Sequence, residues 1–359
     1  MIKNFKLLGI IALTAAIGFS LTACPPEEPL DQNTDDSNTS TAYIITGTAG
    51  KFTATKGEKT VTGAENADID TVLSAIKADA IGENITVQFG NGTETLDLGT
   101  GYTSSTEASN PGAIFSGTGW GTVTITGKVK ANRGGYQSDQ LVGQTMGFIG
   151  VNGIINADIT NTNNLYSAVG VRTTSAVKNT LIVNSGTITG GSDGSTGYGI
   201  AAFNDSLVTV NGGTISGGIG INLANNASAI VKGGTITGKT TAGIYIIGEN
   251  LTVVSGTIQG TGNASAIFAN DKHTITLSGD STVIISSAPP SAYNNRGATI
   301  ILNNGYFATT GSAGTDTQKA TLIIGENVTI KNSSTDADKR EINNINNKAV
   351  ITDNRSVSK

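Results

Sequence analysis

Val183-Asn-Ser-Gly-Thr-Ile188 is followed by Val210-Asn-Gly-Gly-Thr-Ile215, Val231-Lys-Gly-Gly-Thr-Ile236 and Val253-Val-Ser-Gly-Thr-Ile258. Each copy opens on Val and closes on Gly-Thr-Ile. Looser copies begin at Leu277, Leu302 and Ile323, giving successive spacings of about 27, 21, 22, 24, 25 and 21 residues. A fixed period in this range marks a stacked array with one coil per repeat. A single coil holds too few apolar residues to fold alone, so each must bury its face against its neighbours.

Each coil divides into three short strands. One is the Val-x-x-Gly stretch, the second is Thr-Ile-x, and the third begins at Gly199-Ile200, Gly220-Ile221, Gly243-Ile244 and Ala266-Ile267. Counted from Ile to Ile, the third strand follows the second by 12, 6, 8 and 9 residues. The return to the next Thr-Ile is steadier, at 15, 15 and 14 residues. Insertions therefore concentrate at one corner, while alternation turns the Ile residues inward to stack coil on coil. Composition agrees. The chain has 48 Gly, 5% aromatic and 14% charged residues, which suits β-branched strands joined by tight turns.

Residues 68–80 differ in style. Ile69, Val72, Leu73, Ile76 and Ala80 follow helical spacing, and Asp68 or Asp70 is placed to cap the start. A lone amphipathic helix before a strand-rich array suits a plug for the open end. Ile85-Thr-Val-Gln-Phe89 and Val123-Thr-Ile-Thr126 then form the first coils. Helix, strands and Gly-Thr-Ile coils together resemble the right-handed parallel β-helix of the pectin-lyase-like fold, over roughly residues 68–331. The expected fold is thus all-β: a right-handed parallel β-helix solenoid of roughly 21–27-residue coils with an N-terminal capping helix. About nine coils at about 4.8 Å each make a rod about 40 Å long. Residues 42–67 are expected to be an extended segment. Residues 332–359 are expected to be a polar tail in which Ala349-Val-Ile-Thr352 is the one candidate for a last strand.

Lys3 and Lys6 precede an apolar run, Leu7 to Leu21, that ends in Leu21-Thr22-Ala23-Cys24. This order describes a secretory signal over residues 1–23. The last four residues resemble the lipobox of bacterial lipoproteins. That resemblance implies cleavage before Cys24, lipidation of its thiol and attachment to a membrane. Cys24 is the single cysteine, so it has no internal disulfide partner. The implied location is the cell envelope, at the outer membrane or cell surface. Residues 25–41 carry five acids and no base and almost nothing apolar, which describes a disordered, extended tether. The body beyond it has 20 basic and 22 acidic residues. A body this close to neutral argues against nucleic acid as a natural partner, and none is expected.

Many proteins of the resembled fold cleave acidic polysaccharides with clustered acids and an Arg or Lys base. The body has no Asp-Asp pair, and His273, the only histidine, sits in Asp271-Lys272-His273, expected to be a solvated turn. No Ser-His-Asp set or zinc ligand set can be assembled from one His and one Cys. The enzyme assignment stays open, leaning towards none, and no cofactor is expected apart from calcium. The calcium candidates come from a polar row at the end of the third strand: Asn204-Asp205, Asn225-Asn226, Glu249-Asn250 and Asn270-Asp271. Stacked, Asp205, Glu249 and Asp271 would offer the oxygens a hard cation prefers. The alternative is a ladder of side-chain amides bonded to one another and to the turns.

If Ile200, Ile221, Ile244 and Ile267 point inward, Ala201, Asn222, Tyr245 and Phe268 point outward. Two positions on lie Phe203, Ala224, Ile247 and Asn270. Phe203, Tyr245, Ile247 and Phe268 then form an apolar stripe suited to a partner or to sugar rings, unless loops cover it or the register slips by one. A second array, Thr187/Thr189, Thr214/Ser216, Thr235/Thr237 and Thr257/Gln259, resembles the Thr-x-Thr face of β-helical ice-binding proteins, though Ser216 and Gln259 break it. Arg133 with Tyr136, and Tyr293 with Arg296, fall in expected long loops. The expectation is a lipid-anchored envelope module, binding or structural. As an adhesin it would recognise a glycan or surface protein through one β-helix face. The alternative is a polysaccharide lyase or glycoside hydrolase of the same fold.

Overall fold

The computed structural model describes residues 40–101, 112–133, 144–174, 178–193, 197–247, 250–270, 273–292, 297–303, 320–345 and 349–356. The signal, Cys24 and residues 25–39 of the expected tether lie outside them; its last residue, Thr41, already opens the first strand. Thr41–Thr48 and Lys51–Lys56 pair antiparallel, and Lys51–Lys56 also pairs antiparallel with Lys59–Thr60. The segment expected to be extended is therefore a hairpin. Its first strand runs parallel to Ile85–Phe89, and the strand pairings that follow are parallel, as a solenoid requires.

Three ladders run through the stack. In the first, Val87, Ile125, Ile155, Val183, Val210, Val231, Val253, Leu277 and Ile324 stand in register. In the second, the file is Leu96, Val129, Ile159, Ile188, Ile215, Ile236, Ile258, Ile284 and Ile330. The third carries Met146, Val169, Ile200, Ile221, Ile244, Ile267 and Ile300. These side chains are buried and belong to one continuous core. Burying an aliphatic side chain of this size contributes roughly 1.5–3 kcal/mol, so the files are the main source of cohesion between coils.

The repeated Gly has a specific task. Gly186, Gly213, Gly234 and Gly256, each just before Thr-Ile, have φ of 90°, 81°, 79° and 102°. They turn the chain from the first ladder into the second. The column is tight as well as left-handed: a Cβ on Gly186 would stand 2.1 Å from the Ala157 carbonyl oxygen. The Thr that follows each Gly donates its backbone N–H one coil back, Thr214 to Gly186 and Thr235 to Gly213, each at 2.9 Å. The motif is thus a corner whose backbone is shared between coils.

The helix α1 spans Ile69–Ala80. The Asp68 side chain accepts from the Thr71 backbone N–H at 2.8 Å and so caps it. Ile69, Val72, Leu73, Ile76 and Ala80 form its buried face, which joins the main core. Nearby, Phe115 stacks on Phe148 with ring centroids 5.5 Å apart.

One expected repeat is misplaced. Leu302 is not a first-ladder residue: it pairs with Ala269 in the third ladder. Leu277 instead meets Ile324, 47 residues along, so one coil replaces the expected two. At the far end Ile342–Ile345 and Val350–Asp353 extend the third and first ladders. Among the described residues no helix is long and apolar enough to cross a membrane.

Candidate functional site

The candidate face is the outside of the third ladder. Because Ile200, Ile221, Ile244 and Ile267 turn inward, the residue after each turns out, and the register aligns these into one row. It runs Ile114, Gly147, Gly170, Ala201, Asn222, Tyr245, Phe268, Ile301, Asn343. No member is charged. The row two positions on includes Ile149, Arg172, Phe203, Ala224, Ile247 and Asn270, with Arg172 its one charge. A Cβ on Gly170 would run into the Gln144 side-chain amide, and one on Gly147 would stand 2.8 Å from Cδ1 of Ile114.

The expected stripe of Phe203, Tyr245, Ile247 and Phe268 has these four on one face with unequal exposure. Ile247 is 40% exposed, Phe203 and Tyr245 are half-buried, and Phe268 is buried at 9%. Phe268 is covered because Ile301 stacks on it from the next coil and Ala298 packs beside it. With Ala242 they form a small second core on the outside of the ladder. Tyr245 leans on this core, its ring 5.3 Å from that of Phe268. Its hydroxyl accepts from the Asn270 side-chain amide at 2.6 Å, and Asn270 in turn accepts from Asn303 at 2.8 Å. This amide chain fixes the Tyr245 ring against its neighbour.

The polar row divides differently. Asn204, Asp205, Asn225 and Asn226 are left-handed, with φ of 52°, 59°, 52° and 66°. The Asn225 amide donates to the Asn204 side-chain oxygen at 3.3 Å, and the Asp205 backbone N–H donates to the Asn225 carbonyl at 3.1 Å. That part is an amide ladder between two turns. Asn250 stands elsewhere, opposite Thr274 in the first ladder, and Asn270 falls in the row of Ile247. Glu249 and Asp271 lie outside the described residues. Among the described residues no group of three or more His, Cys, Asp or Glu could hold a metal ion.

Two residues expected at the surface are buried. His273 is 2% exposed, with Nδ1 at 3.3 Å from the Asn270 carbonyl oxygen. Arg133 ends the strand Val123–Arg133, in the inward phase set by Val129 and Ala131, and is 1% exposed. Burial pulls its guanidinium down to about 10, and Asp70 acts in the opposite direction. Tyr136, Tyr293 and Arg296 lie outside the described residues. The Thr array is in register from Thr187 through Thr214 and Thr235 to Thr257, then meets Val283. Within it the Gln259 amide donates to the Thr237 hydroxyl at 2.8 Å.

Tyr198 gains weight that the sequence did not assign it. Tyr198 starts the strand whose outward residue is Ala201. Its phenol is pushed up to about 12, first by burial and then by Tyr245 and Asp193 nearby. Tyr198 and Tyr245 belong to the strands on either side of the one that carries Asn222. No protein-family model, curated protein or solved structure matches this chain.

Proposed function

We propose that this chain is a lipid-anchored binding module of the bacterial cell envelope. In this reading the parallel stack is a right-handed β-helix of the pectin-lyase-like kind, closed at its N-terminal end by α1. Its right-handed sense follows the general preference of parallel crossovers. Cys24 carries the lipid, residues 25–39 form the spacer, and the outer face of the third ladder meets a glycan, or a surface protein, as an adhesin would. The observation that carries the reading is Tyr245, a half-buried aromatic held against Phe268 and Asn270 in a row without charge. A pre-positioned aromatic on a rigid strand, with few polar groups around it, is how concave recognition sites are commonly built.

The test is an array of glycans and surface proteins probed with the full chain and with the Tyr245→Ala/Phe268→Ala variant, with and without calcium. Retention of one ligand class by the parent, lost in the variant, is the expected result. Retention unchanged in the variant would move recognition to another face. Retained polysaccharide released as shortened or unsaturated fragments would make the protein an enzyme. An array with no retention would leave a purely structural role.

A further inference from the structure

We propose that the end of the stack that carries α1 rests on the lipid bilayer, with Ile81 inserted among the lipids and the cleft beside it facing them. This rests on the lipid-anchored reading above and adds a second, non-covalent contact with the same membrane.

Ile81 is the C-cap of α1, with φ 40° and ψ 57°. A β-branched residue is strained in this left-handed region, where Gly or Asn is the usual choice. It is also 82% exposed, the most exposed large apolar side chain among the described residues. Backbone strain favours Gly or Asn at this position, and solubility favours Asn. Neither accounts for Ile, so the side chain itself points to a contact. Ile81 borders an open cleft of about 420 Å³ that Ser74, Lys77, Ala78, Gly82 and Gly119 also line.

The polar groups of this lining are already engaged. The Ser74 hydroxyl donates to the Asp70 carbonyl at 2.8 Å, and the Gly82 N–H donates to the Gly119 carbonyl at 2.9 Å. The Lys77 ammonium donates to the Ser116 carbonyl at 2.9 Å and stands 5.8 Å from the centre of the Trp120 ring. Its methylene stem is thereby laid along Gly119. The cleft thus presents apolar surface, which suits acyl chains better than a polar ligand. Charges around it are of both signs, and Lys56 pairs with Asp79 at 3.0 Å, so the contact does not call for anionic lipid.

The place where the chain enters the body names the occupant. The Ser40 and Thr86 hydroxyls are 2.9 Å apart, and the Thr41 hydroxyl donates to Glu83 at 3.2 Å, next to Gly82 of the cleft. Residues 25–39 separate this point from Cys24. They span at most about 50 Å when fully extended, and about 20 Å on average as a flexible coil. A lipid on Cys24 therefore holds Ile81 close to the bilayer, at an effective concentration that populates even a weak contact.

Trp120, the only tryptophan in the chain, is the probe. It is half-buried beside the cleft. The full chain, isolated from cell membranes, is placed in phosphatidylcholine vesicles with or without bromine high in the acyl chains. Brominated lipid should quench Trp120 emission. Ile81→Asn should lower the ratio of quenched to unquenched Trp120 roughly tenfold, the order expected when one Ile side chain leaves an apolar phase. Its Tm should not fall, since Asn tolerates the left-handed region better. Trp120 emission that brominated lipid leaves unchanged in the anchored chain, quenching that survives in Ile81→Asn, or quenching that requires added phosphatidylglycerol would each overturn the contact and leave the anchor standing. Unquenched Trp120 together with disulfide-linked dimers of Ile81→Cys would give the surface to a second copy instead. A chain with no acyl mass on Cys24 and no partition with vesicles would overturn the lipid-anchored reading, and this contact with it.

Discussion

From Val183 to Leu277 the first ladder advances by 27, 21, 22 and 24 residues per coil; from Leu277 to Ile324 it advances by 47. Yet the inward file does not change character between the two regions. Ile236, Ile258, Ile284 and Ile330 stand one above another through both. What differs is the chain between rungs. In Thr214–Ala224 and Thr235–Ile247 the second and third strands run on as one, with almost nothing at the corner. The longer coil makes the same rungs and places its extra residues between them. The core therefore constrains which residues meet, and leaves the length of the connection free.

A solenoid coil is stabilised by the neighbours it touches, so a central rung has two interfaces and a terminal rung has one. Ile236 packs between Ile215 and Ile258, whereas Ile330 ends its file and is 5% exposed. Ile236→Ala should cost about 2–5 kcal/mol, as expected for a cavity in a packed core. Ile330→Ala should cost clearly less, because the site can collapse or admit water. Urea unfolding of both variants, followed by circular dichroism, measures the pair. Equal losses would mean that the terminal coils are as tightly coupled as the centre.

A second contrast separates the corners. Gly234 and Gly262 both have positive φ, 79° and 60°. A Cβ on Gly234 would stand 2.6 Å from the Gly213 carbonyl oxygen, while one on Gly262 meets nothing within 4 Å. Ala at Gly262 should lose only the left-handed penalty of about 1–2 kcal/mol. Ala at Gly234 should lose that and more, because the neighbouring coil's backbone must move. If the two variants unfold at the same urea concentration, the corner column is looser than its contacts imply.

The parts of this fold that could be read from the sequence are those where neighbouring coils have similar length. There the Val, Gly-Thr-Ile and Gly-Ile signals fall into register, and the outward row of Ala201, Asn222, Tyr245 and Phe268 follows from simple alternation. Leu302 reads as a first-ladder residue because Ile300-Ile-Leu-Asn303 has the same apolar character as a first strand; only pairing distinguishes the ladders. Inward or outward direction at a corner does not follow from alternation either. Arg133 and His273 are polar, which argues for the surface, but both are buried. The cover over Phe268 is hidden because Ala298 and Ile301 are some thirty residues away in the chain.

The smallest expected effect concerns α1, which, like the antiparallel hairpin before it, does not follow the coil pattern. Asp68 accepts from both the backbone N–H and the hydroxyl of Thr71, at 2.8 and 2.9 Å. The backbone bond is the main reason its carboxyl is held below the usual range. A depressed folded value means that the stabilisation is present above the unfolded pKa, near 3.8, and is lost as pH falls through the folded value. Asp68→Ala should cost about 1 kcal/mol at neutral pH, and the difference from the parent should shrink as the pH is lowered into that window. Asp68→Asn should keep the cap without the pH dependence, because its amide oxygen can still accept from Thr71. Asp79 titrates in the same direction, held down by bonds from Tyr43 and Lys56, so the parent alone will not isolate the effect. The three-way comparison of Asp, Asn and Ala does. A gap between Asp68→Ala and the parent that stays constant down to pH 2 would show that Asp68 acts through packing rather than as an ionised cap. The attachment of α1 to the core would then depend on the buried face of Ile69, Val72, Leu73, Ile76 and Ala80 alone.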